Sequence, residues 1–182
     1  FLQRSWEHPS GKDIRIVRTF VDSGYEPQRV YRFCQAMQAF GVWASKGVGG
    51  ADRAVVGRPS KNNPARCNVL PLGVNTIKTM LFTRLKNTKP SPGFIHIGDW
   101  ADDEFIRQIT SERAVTRYSK GIPHQEFKKT RERNEALDLL TYNIAAFATL
   151  RADTRKIQKK LSEVREEKPG KIRRRRNWIS KW

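Results

Sequence analysis

Three acidic residues stand where an acid needs a reason. Asp22 ends an apolar run, Ile14 to Val21 (IRIVRTFV), and is followed by Ser23-Gly24. Glu135 and Asp138 lie within Arg133 to Phe147, RNEALDLLTYNIAAF. At about 3.6 residues per turn this stretch predicts a helix with Leu137, Leu140, Ile144 and Phe147 on one stripe, widened by Ala136, Leu139, Ala145, Ala146 and Ala148. So apolar a circumference predicts burial, and a buried carboxylate needs a partner. Two readings fit each acid. Asp22-Ser23-Gly24 is turn chemistry, with Asp bonding nearby backbone and Gly taking positive φ, or Asp22 is a metal ligand. Asp138 faces an open edge or pairs with an arginine such as Arg133, or it joins Glu135, three residues earlier on the same face, in aiming oxygens at a metal ion. The chemistry of the second reading is specific. Mg²⁺ and Mn²⁺ take hard oxygen ligands, Mg²⁺ keeps several waters, and two such ions can activate a water and stabilise the leaving oxygen of a phosphodiester.

The elements that must position these acids follow from periodicity and punctuation. Ile14 to Val21 predicts one strand covered largely on both faces. Pro27 to Phe40 predicts an amphipathic helix with Val30, Phe33, Cys34, Met37 and Phe40 on one face, closed by Gly41. Val42 to Ser45 predicts a short strand running into Lys46-Gly47-Val48-Gly49-Gly50, whose glycines match neither a P-loop nor a dinucleotide fingerprint. Lys46 ends a strand of the same character as the one ending in Asp22, which makes it the first choice to contact the scissile or a neighbouring phosphate. The basic loop beyond it, through Arg53, Arg58, Lys61 and Arg66, is a solvated insertion or a contact to the DNA backbone. Cys67 to Val74 predicts a strand that Pro71 confines to an edge or a bulge. Asn75 is expected to cap a helix carrying Ile77, Met80, Leu81 and Leu85. Phe94 to Ile97 predicts a further short strand, and Asp102 to Glu112 a helix whose first-turn acids complement its dipole. Arg113 to Lys120 and Pro123 to Lys129, about Gly121, predict a hairpin carrying Arg113, Arg117, Lys120, Lys128 and Lys129, a DNA-facing surface. Such an order of strands and helices is α/β or α+β in class.

Charge narrows the partners. The 182 residues carry 36 Lys and Arg against 18 Asp and Glu, a net charge of +18, which predicts a polyanionic partner, nucleic acid ahead of an anionic membrane. Half of that excess falls in residues 151–182, with thirteen basic against four acidic side chains. The expected organisation is a domain over 1–150 and a basic helix and tail over 151–182, the tail's KIRRRRNWISKW suited to phosphate contact, stacking or docking on an acidic partner. Cys34 and Cys67 form no disulfide framework, which suits a reducing, intracellular setting, and His8, His96 and His124 lack zinc-ligand spacing. No apolar run reaches the roughly eighteen residues of a membrane span and no signal-peptide core is present, so a soluble chain is expected.

A strand-end acid and a helix acid converging on one site is how metal-dependent nucleases of the ribonuclease H type are assembled. Several pieces strengthen that reading: VDSGY with VYRFC, Ala44-Ser45-Lys46-Gly47, VGRPSK, GVNTIKTMLFTRL, GFIHIGD, DEFIRQITSER and RNEALDLLTYNIAAF, in this order over roughly residues 14–150. As a set they resemble the C-terminal nuclease part of lambda-type (GpA family) large terminase subunits of tailed bacteriophages. The resemblance implies a ribonuclease H-like (RuvC/terminase-type) α/β fold, a central mixed sheet with flanking helices. It implies an endonuclease that cuts concatemeric double-stranded DNA at the start and end of capsid filling, with Mg²⁺ or Mn²⁺ in a two-metal site. The partners it implies are DNA, the terminase small subunit, the portal or procapsid and the ATPase domain of the same subunit, in the host cell cytoplasm. No Walker A sequence is present, so the ATPase motor would lie elsewhere.

Carried onto this chain, the resemblance makes Asp22 and Asp138 metal ligands, Glu135 a substitute or supporting ligand, and Lys46, Arg58, Lys61, Lys120 and Arg133 contacts to DNA. The family's opening strand, with an acid in a Gly-Val-Asp-like motif, has no counterpart here. With Phe1 in place of an initiating methionine, the first strands and a third acid are expected to lie upstream. In the alternative, Asp22 takes the first-acid role and the stretch from Asp99 to Glu104 supplies another. A junction resolvase or transposase of the same fold, and a non-catalytic DNA-binding or motor-docking module, are the competing functions.

Overall fold

The computed structural model describes residues 1–50, 52–61 and 63–166, so the cationic run after Pro169 lies outside it. The chain divides into two units. The smaller takes Phe1–Ile16 and, among the described residues, 152–166. In it β1 (Ser5–Glu7) pairs antiparallel with β2 (Asp13–Arg15), Trp6 opposite Ile14, and Lys12 Nζ donates to the Lys160 carbonyl at 3.2 Å on helix α5 (Thr154–Glu166).

The larger unit, Val17–Arg151, carries the chemistry. Its sheet has three parallel strands in the order β3 (Thr19–Asp22), β4 (Val42–Val48), β5 (Val69–Gly73). Helix α1 (Pro27–Ala36) links β3 to β4. Antiparallel bridges from Val56 to Leu72 and Ser60 to Val69 cover the far side of β5, so Pro71 does lie on the outer strand of the sheet. Beyond β5 come α2 (Val74–Leu85), α3 (Asp103–Ile109), the hairpin β6 (Glu112–Ser119) with β7 (Ile122–Lys129), and α4 (Glu135–Leu150). Leu70, Leu72, Ile77 and Ala145 form the buried core, with Phe20, Trp43, Tyr142 and Ile144 packed against it. The result is the mixed α/β class expected from the order of elements.

Several expectations need correction. Ile14 to Val21 is not one strand: its first half pairs back on Trp6, and its second half starts again at Thr19 in the parallel sheet. Apolar alternation could not show the break, because each half has a partner of its own. The restart is anchored at Gly41, whose carbonyl accepts from the Thr19 N–H at 3.0 Å, and Arg18 stacks on Trp43 with 4.5 Å to the ring centroid. Gly41 has φ +74, and a Cβ there would meet the Val17 carbonyl oxygen at 2.5 Å, so a side chain is excluded on both counts. Phe94 to Ile97 forms no strand; Phe94 lies edge-on to His96 at 4.7 Å in irregular chain. Asn75 does not cap α2, which starts one residue earlier. Gly73 holds the cap position, pressed so close to the Arg53–Ala54 backbone that a Cβ would meet the Ala54 oxygen at 2.5 Å. Nor is α4 buried all round: Ala136, Leu137, Thr141, Ala145 and Ala146 are buried, whereas Leu139 and Phe147 are exposed. The buried face runs along residues 137, 141 and 145, a period-four row of mostly small side chains.

Cys34 and Cys67 are both free and buried. Burial, and then the neighbouring Cys67, push the Cys34 thiol from 9.0 up to about 11. The folded state therefore holds this proton more tightly than the unfolded chain does. That contribution to stability is complete below pH 9.0 and is lost as pH rises through about 11. Urea midpoints are expected to fall over this window, and Cys34→Ala is expected to flatten the fall.

Candidate active site

Asp22 is the last residue of β3 and lies exposed at the carboxyl end of the sheet, the end where open α/β sheets bind ligands. Its position is fixed by the strands beside it. The Ser23 N–H and Oγ both donate to the Ser45 carbonyl, at 2.9 and 2.8 Å, and the Ser45 Oγ donates to the Val21 carbonyl at 3.2 Å. Asp22 Oδ1 accepts from the Gly24 N–H at 3.1 Å, so the turn hydrogen bond forms. It leaves the carboxylate with spare lone pairs.

Asp138 sits in the first turn of α4 with its side chain 44% exposed, between bulk water and a buried polar cluster. Lys78, on the buried face of α2, donates from Nζ to both oxygens of Glu112 at 2.8 Å and lies 3.3 Å from Asp138 Oδ1. Asn134 Nδ2 joins the same two acids, donating to Glu112 Oε1 at 2.9 Å and Asp138 Oδ2 at 3.1 Å. Gln108, also buried, accepts the Ala136 N–H at 3.0 Å and so fastens the start of α4. Asp138 thus pairs with a lysine, not with Arg133. Arg133 is exposed and lies 3.7 Å from Glu135, itself exposed, so Glu135 points away from this cluster into a surface ion pair.

Tyr142 lies one turn beyond Asp138 on α4, the helix that packs on β3, with its ring against the buried core. Burial, followed by the negative charges of Asp22 and then Asp138, raises its pKa well above the ordinary phenol value, so the phenol stays protonated with both acids in its surroundings.

Lys46 follows Ser45 on β4, whose register pairs Ser45 with Asp22; it is exposed beside the site. Arg58 and Lys61 are exposed in the loop that covers β5, and Lys120 stands at the tip of the β6–β7 hairpin with φ 51. On that hairpin Phe127 stacks on Phe82 of α2, with 5.7 Å between ring centroids, which leaves the alternate residues Arg113, Arg117 and Lys128 on the other face. Arg113 lies directly opposite Lys128. Like charges so paired are unfavourable unless an anion lies over them. An open groove of about 540 Å³ runs between α2 and the hairpin past Asn75, Thr79, Thr116 and Gln125.

The residues from Asp99 to Glu104 do not add a third acid beside Asp22. Asp102 caps α3 by accepting the Phe105 N–H at 2.8 Å, Glu104 accepts from Gln108 at 3.0 Å, and no group of three His, Cys, Asp or Glu side chains fit to hold a metal occurs among the described residues. The carboxylates of exposed Asp22 and half-buried Asp138, with hard oxygen donors, still suit Mg²⁺, which binds through one or two acids and keeps several waters. Sequence reasoning missed Lys78, Glu112, Asn134, Gln108 and Tyr142. The one available signal was Lys78 on the apolar face of its helix, flanked by Ile77 and Leu81.

Tyr142→Phe keeps the ring and removes the phenol hydroxyl from the surroundings of Asp22 and Asp138. Stability is expected to drop by about 1 kcal/mol in urea unfolding. Divalent-ion affinity, read by calorimetry, is expected to fall about 10- to 100-fold, as for loss of other groups that orient ligands.

The unit thus combines an acid at the carboxyl end of a parallel sheet, a second acid on α4 and a basic hairpin that begins at Glu112. A model of the family described as terminase large subunit gpA, endonuclease domain, matches residues 1–159, and the chain belongs to that family. It is 27% identical over 153 residues to the terminase large subunit of Escherichia phage lambda, covering 80% of this chain and 24% of that protein. It is 26% identical over 167 residues to the terminase large subunit of Enterobacteria phage P21, covering 86% of this chain and 25% of that protein. The chain therefore spans about a quarter of these curated relatives. No solved structure matches it. Among the described residues no helix is long and apolar enough to cross a membrane.

Proposed function

We propose that this domain is a Mg²⁺- or Mn²⁺-dependent endonuclease of ribonuclease H-like fold that cuts double-stranded viral DNA during genome packaging. The observation that carries the reading is the packing of α4 on β3, which sets an acid from a strand end and an acid from a helix in the surroundings of the same Tyr142 phenol. In this reading Asp22 and Asp138 hold the metal, and Tyr142 and the Lys78–Asn134 cluster fix their oxygens. The ion supplies Lewis acidity toward a phosphodiester and a more acidic water. Lys46 steadies the neighbouring phosphate, and the hairpin, with Arg58 and Lys61, binds the duplex backbone. The other partners belong to the longer subunit: its ATPase domain, the terminase small subunit and the portal or procapsid, in the host cytoplasm.

That no group of three side chains fit to hold a metal occurs among the described residues keeps a non-catalytic DNA-binding module as the second reading. Plasmid cleavage in Mg²⁺ and Mn²⁺ with EDTA controls, on this chain and on the full-length subunit, separates the two. Metal-dependent nicking supports the nuclease; salt-sensitive binding without cutting by either protein supports the module. Binding itself has a predicted signature. Each of Arg113→Ala and Lys128→Ala is expected to reduce the slope of log K against log salt by about one, uniformly across DNA sequences.

A further inference from the structure

The geometry points to a built-in cation: we infer that the Lys78 ammonium occupies a second cation position, between Glu112 and Asp138, so that without DNA the protein takes one divalent ion. The inference rests on the reading of Asp22 and Asp138 as metal ligands.

An ammonium has three protons, and Lys78 Nζ has three carboxylate oxygens around it, two of Glu112 at 2.8 Å and one of Asp138 at 3.3 Å. Its side chain is 10% exposed and that of Glu112 4%. So enclosed, hydrogen-bonded to Glu112 and ion-paired with Asp138, Lys78 is unsuited to reach DNA or to shuttle protons. It sits as an ion would, among carboxylate oxygens drawn from two elements. Glu112 is likewise committed, since Oε1 accepts from Lys78 and Asn134 and Oε2 from Lys78. Charge gives the same answer. Asp22, Asp138 and Glu112 with Lys78 leave two negative charges, which one divalent ion balances. A second ion would have to displace the ammonium or bring its own anions, and a DNA phosphate supplies those.

Mn²⁺ alone is the probe, titrated into the 182-residue chain without DNA and counted by electron paramagnetic resonance. Wild type is expected to bind one ion, lost in Asp22→Asn. Lys78→Ala vacates the position and leaves Glu112 unpaired, and it is expected to bind two. Lys78→Ala/Glu112→Gln removes the unpaired buried charge, keeps the fold by circular dichroism even where the single variant does not, and is expected to bind one ion at least tenfold more tightly than wild type, because the ammonium beside Asp138 is gone. Two ions on wild type, a folded Lys78→Ala that still binds one, or a double variant with unchanged affinity each overturns the inference while leaving Asp22 and Asp138 as ligands. No ion on wild type overturns the ligand reading as well.

Discussion

Asp22→Asn and Asp138→Asn are each expected to reduce DNA cleavage by on the order of 10³-fold while leaving DNA binding almost unchanged. A metal acting as a Lewis acid contributes several kcal/mol of transition-state stabilisation, and each 1.36 kcal/mol is about tenfold in rate. Loss of one of two protein ligands removes most of that. The amide keeps size and much of the hydrogen bonding, so the fold is disturbed little. At Asp22 the amide oxygen can still accept the Gly24 N–H, and at Asp138 the side chain is close to half exposed. In the proposed reading DNA affinity resides in the basic hairpin and loops. Single-turnover cleavage beside a filter-binding isotherm checks both halves, and a variant that loses binding together with cleavage would show that the carboxylates act structurally.

The largest effect on stability is expected at Lys78. Removing one member of a buried, hydrogen-bonded ion pair leaves the other charged and without its counter-ion, which costs about 3–5 kcal/mol. Lys78→Ala does this to Glu112, whose remaining partner is the neutral amide of Asn134. A domain of this size has only about 5–15 kcal/mol in total. Urea denaturation should therefore show a large drop in midpoint for Lys78→Ala, and recovery of a good part of it in Lys78→Ala/Glu112→Gln. Equal loss in both variants would mean that packing of the lysine stem, not charge, is what α2 requires there.

The two acids of the proposed site stood out in the sequence because each broke a pattern: Asp22 closed an apolar run, and Asp138 interrupted an apolar helix. The β6–β7 hairpin and the start of α4 were legible for the same kind of reason, since period two and period 3.6 differ clearly over eight or more residues. What decides where Asp138 points was not legible. Lys78, Glu112 and Asn134 come from α2, β6 and the turn before α4, and no spacing along the chain links them. Glu112 was read as the end of a helix because Asp102 to Glu112 looks continuous. Yet the Ser111 hydroxyl donates to the Gln108 carbonyl, and the Ser111 carbonyl accepts the Thr130 N–H, so the chain leaves α3 after Ile109 and enters the hairpin at Glu112. Glu135 illustrates the converse. Its spacing from Asp138 put both on one helical face, but helical spacing does not set depth, and at the first residue of the helix Arg133 draws it toward solvent.

The measurement that tests the central claim most directly is an anomalous difference map from crystals soaked in Mn²⁺. The account predicts a peak at coordination distance, about 2.1 Å, from carboxylate oxygens of both Asp22 and Asp138, with Tyr142 alongside and Lys78 still seated on Glu112. A map with no peak there, or with Mn²⁺ held only at the exposed Arg133–Glu135 surface or elsewhere, would contradict it.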